Sequence, residues 1–327
     1  MLKNLVYFGS PEFSAKILES IILSKQVNVV GVVTTPDKPT GRHQVLTSSP
    51  VAALARDYNL PTYKPNHLND SNLAHLKLLS PDIFLVVSYG QIIPQTWLET
   101  PLIGTFNVHF SLLPRYRGAL CISEALKNQD RETGVTLMTM DNQLDHGPIL
   151  DQLKVSISLD DNLATLTTKI TQVAIEILTQ NLPQICAQNY SQTPQDDSLA
   201  VFTPSHKTLT HASALIPWEN ISRCLSDSSL RGIQPSLPAV AGGNLTPASL
   251  HALIRSLSPK PGAWTVIPTN AEGSHSTEIK ILQTSIHENK LVIDTVQLAG
   301  KQPISWKQFL TGHSGLLSHP LVKTSCK

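Results

Sequence analysis

From its start to about residue 180 the chain alternates short, apolar, β-branched runs with segments of helical period, and this alternation restricts the fold more than any other feature. The expected strands are Asn4 to Phe8, Val27 to Thr34, Asp82 to Ser88, Gly104 to Phe110 and Val135 to Met140. Pro11 to Ile22, Pro50 to Tyr58 and Ala119 to Lys127 read as helices between them. Strands apolar on both faces, joined by helical crossovers, predict an α/β domain with a doubly wound, mostly parallel sheet. In such sheets ligands bind beyond the carboxyl ends of the strands.

Asn162 to Gln180 puts Leu163, Leu166, Ile170, Val173 and Ile177 on one stripe, a helix that closes this first domain at residue 180. Residues 181–204 are polar and proline-containing and read as a linker. Beyond it, Ala263 to Ile267, Thr277 to Thr284 and Lys290 to Val296 are short strand-like runs separated by polar turns. They predict a small antiparallel β-barrel domain, OB-like, over 205–327. Ser226 to Thr246, rich in Ser, Pro and Gly, reads as an exposed insertion in it. Two domains suit 327 residues, because a single core stops growing near roughly 250 to 300.

Composition removes several classes. Apolar residues make up 41% and charged residues 15%, with no long polar tract or repeat, which excludes a disordered or solenoid chain. The apolar run before Gly9 and Pro11 is too short for a signal-peptide core, and no run approaches about 18 apolar residues, so a soluble cytoplasmic protein is expected. Cys121, Cys186, Cys224 and Cys326 are scattered without zinc-type spacing, so neither disulfide nor metal is expected. Residues 201–327 carry 11 Lys+Arg against 6 Asp+Glu, a charge of +5, and the remainder carries −4, together the +1 of the whole chain. A basic second half fits a polyanionic partner; chance asymmetry gives the same numbers.

The first strand-to-helix loop, Gly9 to Phe13, has one glycine where a G-x-G-x-x-G pyrophosphate cradle needs more. It reads instead as a tight turn with Ser10 as N-cap and Pro11 at the first helical position. The strand Thr105 to Phe110 alternates, so Asn107 and His109 share a face at its carboxyl end. The next strand ends in a turn-rich loop, Met140 to Gly147, in which Asp145 is within reach of His109. An Asn amide and an imidazole can stabilise an oxyanion, and a carboxylate can orient the imidazole or hold a proton-shuttling water. That trio suits acyl transfer to an amine without a covalent enzyme intermediate. On spacing alone, satisfied core polar groups are the preferred reading.

The unbroken run Asn107 to Gly118 (NVHFSLLPRYRG) resembles the signature of formyltransferases that use 10-formyltetrahydrofolate. Phe8 to Phe13, Thr35 to Arg42, Ser88 to Gly90, Gly134 to Asp141 and the Leu144-Asp145-x-Gly147 step resemble the branch of that family whose acceptor is the methionyl initiator tRNA. The likeness is close over 1–180 and fainter at Ala214 to Trp218, Pro261 to Trp264 and Leu298 to Lys301. It implies a Rossmann-like catalytic domain, a folate co-substrate, a tRNA partner, no membrane and a monomer.

By the same resemblance Asn107, His109 and Asp145 are catalytic, and Ser111, Leu112, Leu113 and Pro114 line the folate site. Tyr89, Gly90, Gln91 and Ile92, with Met140, Asp141, Asn142, Gln143 and Leu144, contact the pterin. The Pro36 to Ser49 loop, carrying Lys38 and Arg42, meets the acceptor end of the tRNA; an ordinary surface loop is the other reading. Arg115 and Arg117 have three readings: tRNA phosphate, the folate glutamate, or surface solvation. The chain departs from the pattern at Cys121, where proline is usual, and at His146, where a small hydroxyl residue is common. His43, Gln44 and Val45 stand where lysines are frequent. A formyltransferase for a sugar or ribonucleotide amine is the rival reading; the basic half and the long loop count against it. A binding protein without turnover is a second rival, disfavoured by the intact trio.

Overall fold

The structure is a computed structural model and describes residues 1–41, 43–226, 246–268 and 276–312. It divides into two compact units, one of Met1–Cys121, Glu132–Ser156 and Thr167–Pro204, the other of Ile122–Arg131, Ile157–Leu166 and Ser205–Lys327.

Up to residue 204 the elements are β1 (Asn4–Gly9), α1 (Glu12–Ser24), β2 (Asn28–Val33), β3 (Lys38–Thr40), β4 (Val45–Thr47), α2 (Pro50–Asp57), β5 (Thr62–Tyr63), α3 (Asp70–Lys77) and β6 (Ile83–Val87). There follow α4 (Gln95–Leu98), β7 (Gly104–His109), β8 (Arg115–Arg117), α5 (Cys121–Lys127), β9 (Glu132–Thr139), β10 (Ile149–Ser156), α6 (Leu163–Cys186) and β11 (Val201–Phe202). Seven strands form one sheet in the order β10-β9-β7-β6-β1-β2-β5. β7, β6, β1, β2 and β5 run parallel, and β9 and β10 are antiparallel. Every residue of β6 is buried, as a central parallel strand covered on both faces requires. Phe8, Phe84, Tyr89 and Trp97 interlock on one side of it, with Phe8 5.0 Å from Phe84 and 5.6 Å from Tyr89.

α1 has no side-chain cap: its N-cap is Pro11, and the Ser10 hydroxyl is drawn instead to Thr34 Oγ1 at 3.2 Å and to the Thr35 N–H at 3.3 Å. The serine-proline start expected there is used by α2, where Ser49 accepts the Ala52 N–H and Pro50 opens the helix. α6 runs past residue 180 to Cys186, because Leu182 and Ile185 prolong the buried stripe. The segment expected as a linker is paired: Thr193 exchanges backbone hydrogen bonds with Ile149, and β11 lies parallel to β8.

The second unit contains α7 (Trp218–Ser226), α8 (Pro247–Leu257), β12 (Ala263–Pro268), β13 (Ser276–His287), β14 (Lys290–Leu298), β15 (Ile304–Ser305) and α9 (Trp306–Gly312). β12 to β15 form a four-stranded antiparallel sheet in sequence order. Thr246 and Ser249 close a reciprocal capping box at the start of α8. That helix is buried nearly throughout: Leu250, Leu253, Ile254 and Leu257 join the core, and His251 and Arg255 satisfy carbonyls of Leu159, Ser158 and Asp161. Ser226 and Thr246 thus belong to helix ends, and the rest of the expected insertion, 227–245, lies outside the described residues. No described helix is long and apolar enough to cross a membrane.

The β9–β10 turn closes tightly, with the Thr139 N–H on the Pro148 carbonyl at 3.0 Å. A Cβ on Gly147 would fall 1.9 Å from the Thr139 carbonyl oxygen, so only glycine fits without moving backbone. Gly147→Ala is therefore expected to cost about 2 kcal/mol of stability, within the usual range for overpacking, measured by urea denaturation. An unchanged midpoint would mean that the turn opens freely.

Candidate active site

Asn107 and His109 lie on the same face of β7 at its carboxyl end, both buried. The antiparallel register sets His109 opposite Thr136 and Phe106 opposite Thr139, so the chain leaving β9 turns back beside β7. That return brings Asp145 Oδ2 to 3.5 Å from His109 Nδ1 and Oδ1 to 3.5 Å from Asn107 Nδ2. Oδ2 also accepts the Gly118 N–H at 2.8 Å. The three residues expected in the reaction centre are thus brought together.

His109 Nε2 is 2.9 Å from the Tyr116 carbonyl, which can only accept, so Nε2 carries a proton. Nδ1 then faces a carboxylate, and the doubly protonated imidazolium satisfies both sides. Burial opposes that charge; the Cys121 side chain, the Asp145 carboxylate and the Tyr116 carbonyl outweigh it and push the His109 pKa up to about 9. Cys121, the departure from the expected proline, therefore sits beside the imidazole. Asp145 and Tyr116 both have left-handed backbone, with φ of 48° and 64°. Such conformations cost about 1 kcal/mol or more each and persist where neighbours hold them.

Of the residues expected at the folate, Ser111 and Leu113 are buried, and Leu112 and Pro114 are half-buried. Their backbone is largely engaged internally. Thr136 Oγ1 donates to the Ser111 carbonyl and accepts the Leu113 N–H, and Gln152 Nε2 donates to the Leu113 carbonyl. The Tyr89 ring packs in the core against Phe8, and burial raises its hydroxyl pKa to about 12. An open rim remains: Gly90, Ile92, Asn142, Gln143 and Leu144 are exposed, and Gln91, Met140 and Asp141 are half-buried. Gly90, at φ 88°, has nothing within 4 Å of where a Cβ would stand.

Lys38 is exposed on the β3–β4 hairpin that the Pro36 to Ser49 loop forms, and Arg42 lies outside the described residues. Arg115 is exposed, its guanidinium on the Tyr116 hydroxyl at 2.8 Å. Arg117 is not a surface cation: it is 3% exposed, donating to Asp197 at 2.7 Å and through Nε and Nη2 to Gln195 Oε1 at 3.1 and 2.8 Å. Gln195 and Asp197, in the stretch read as a linker, escaped the sequence reading because nothing in their spacing sets them apart. His146 bridges Asp141 at 2.6 Å and Asp197 at 3.3 Å, and the bond to Asp141 raises its pKa. Among the described residues no group of three His, Cys, Asp or Glu is placed to hold a metal ion.

Residues 3–182 match the family model described as formyl transferase. A methionyl-tRNA formyltransferase of Staphylococcus epidermidis is 32% identical over 312 residues, 95% of this chain and 96% of that protein. This chain belongs to the methionyl-tRNA formyltransferase family. The Kosmotoga olearia protein of the same name is 40% identical over 67% of this chain and 70% of its own length. In fold, the chain is similar to a 4-N formyltransferase from Francisella tularensis, with a TM-score of 0.60, 16% identity, and coverage of 87% of this chain and 99% of that one.

A raised folded-state pKa means stabilisation that is complete below the unfolded value, about 6.5, and lost as pH rises through about 9. The shift corresponds to roughly 3 kcal/mol. Urea unfolding of the protein and of His109→Asn across pH 6 to 10 should therefore differ most at the acid end and converge near pH 9 to 10. A pH-independent difference would refute a charged His109.

Proposed function

We infer that the protein transfers the formyl group of 10-formyltetrahydrofolate to the α-amino group of methionyl initiator tRNA, giving formylmethionyl-tRNA for translation initiation. The observation that carries this reading is the identity extending over 95% of the chain to a relative of that name. The clustering of Asn107, His109 and Asp145 at the end of β7 supports it in chemical terms.

The folate supplies the formyl carbon, and the open rim of Gly90 to Ile92 and Met140 to Leu144 is where this chain would hold it. Asn107 Nδ2 donates to the formyl oxygen as the amine adds, and the positive charge of the His109 imidazolium, whose own N–H groups face Tyr116 and Asp145, stabilises the developing negative charge through space. Such donors act best where water is excluded, which suits their burial. Asp145 keeps the imidazole charged and oriented and takes up the amine proton, relaying it through water to N10 of the folate as the formyl carbon–N10 bond breaks and tetrahydrofolate leaves. Lys38, Arg42 and Arg115 are the cations proposed to meet the tRNA. Arg117 leaves that set because its guanidinium is already engaged.

Purified protein supplied with 10-formyltetrahydrofolate should formylate methionyl initiator tRNA and act more weakly on elongator methionyl-tRNA. Transfer only to a nucleotide sugar or a ribonucleotide amine would replace the acceptor with the rival one. His109→Ala should lower kcat by about 10² or more while folate binding changes little, the usual scale for losing one group that stabilises the oxyanion. Near-normal turnover would remove His109 from the chemistry.

A further inference from the structure

The segment after α6 crosses the catalytic unit beside the reaction centre. Thr193 pairs with Ile149 at the start of β10, the Val201 N–H meets the Pro114 carbonyl, and the Thr203 N–H meets the Arg117 carbonyl at 2.8 Å. Thr203 Oγ1 accepts the Leu120 N–H at 3.3 Å. Midway along this strap, the Gln195 side chain uses both ends of its amide. Nε2 donates to the carbonyl of Asp145 at 2.9 Å and of Gly147 at 2.8 Å, and Oε1 accepts both Arg117 donors. Asp197 accepts from the same Nη2 of Arg117 and meets His146.

We propose that Gln195 is a positioning residue for formyl transfer, fixing the backbone of Asp145 so that its carboxylate stays on His109 and Asn107. This rests on the function inferred above. The argument is one of constraint. Asp145 sits at φ 48°, a left-handed conformation that is uncommon for a residue with a side chain, although less so for Asp than for most, and that contacts to its backbone help to hold. The carboxylate itself is held by one short bond, from the Gly118 N–H, and two 3.5 Å approaches. The contacts of Gln195 with the carbonyls of Asp145 and Gly147 bracket the turn on both sides of His146. A glutamine is suited to this task because one planar group offers two donors and an acceptor with two lone pairs. Without it, those two carbonyls would need water in a partly buried place, and the turn would be free to relax away from β7.

Two substitutions separate this role from anchoring Arg117. Gln195→Glu keeps the oxygen that Arg117 uses but sets a second oxygen against the two carbonyls; Gln195→Met removes both functions at similar size. With the full chain, kcat and KM for formyl transfer would be measured beside the imidazole NMR titration of His109, its signal identified by its loss in His109→Asn. Both variants are expected to lose about tenfold or more in kcat, with each KM within about twofold, a pattern of misplaced catalytic groups. The His109 midpoint should move downward in both, since the carboxylate that raises it withdraws.

Wild-type kcat in Gln195→Glu would overturn the proposal, as would a fall in kcat without movement of the His109 midpoint. Should Gln195→Met fail to fold, Gln195→Glu decides alone. Should the wild-type protein formylate no amine, the functional reading fails, and the titration midpoints still test whether Gln195 holds Asp145.

Discussion

His109 must satisfy two ring nitrogens in a place nearly closed to water, and the neighbouring chain is arranged by that demand. Nε2 takes the Tyr116 carbonyl, so the chain has to come back to β7 seven residues after leaving it, through a left-handed Tyr116. Nδ1 takes Asp145; β9 runs against β7 and leaves it beside Phe106, so the loop from Met140 to Gly147 has to fold back along β7 to bring that carboxylate to the strand's carboxyl end. Burial opposes a charged imidazole, and the Cys121 side chain, the Asp145 carboxylate and the Tyr116 carbonyl together raise its pKa.

The central strands were legible because burial on both faces leaves a continuous apolar run, as in Ile83 to Val87. Asn107 and His109 could be placed on one face from the two-residue period alone. β10 was missed because it is an edge strand: most of its residues are half-buried, and Asp151, Gln152 and Lys154 interrupt its apolar pattern. β8 and β11 are two or three residues long and exist only by pairing with each other across about eighty intervening positions, which no local pattern encodes.

The polar groups were the harder part. Arg117 looks in the sequence like a surface cation, and Asp196, Asp197 and Ser198 look like solvated linker. In the fold, Arg117 is buried by partners drawn from that linker, so two features that each suggest exposure explain one another. Ser10 is a milder instance: its hydroxyl had a cap available and a neighbouring strand end available, and Thr34 and Thr35 won. Where a polar side chain can choose between a local and a distant partner, propensity describes only the local option.

The pairing of β8 with β11 also has a bearing on how the catalytic unit comes into being during synthesis. A nascent chain that has emerged only to about residue 180 already contains Asn107, His109, Asp145 and all seven strands of the main sheet. It lacks Gln195, Asp197 and Thr203, whose partners lie some 50 to 80 positions back along the chain. Contacts of such separation form late, after the loop they close has been ordered. The residues of the main sheet are therefore all present before the strap that brackets the Asp145 turn and holds Arg117.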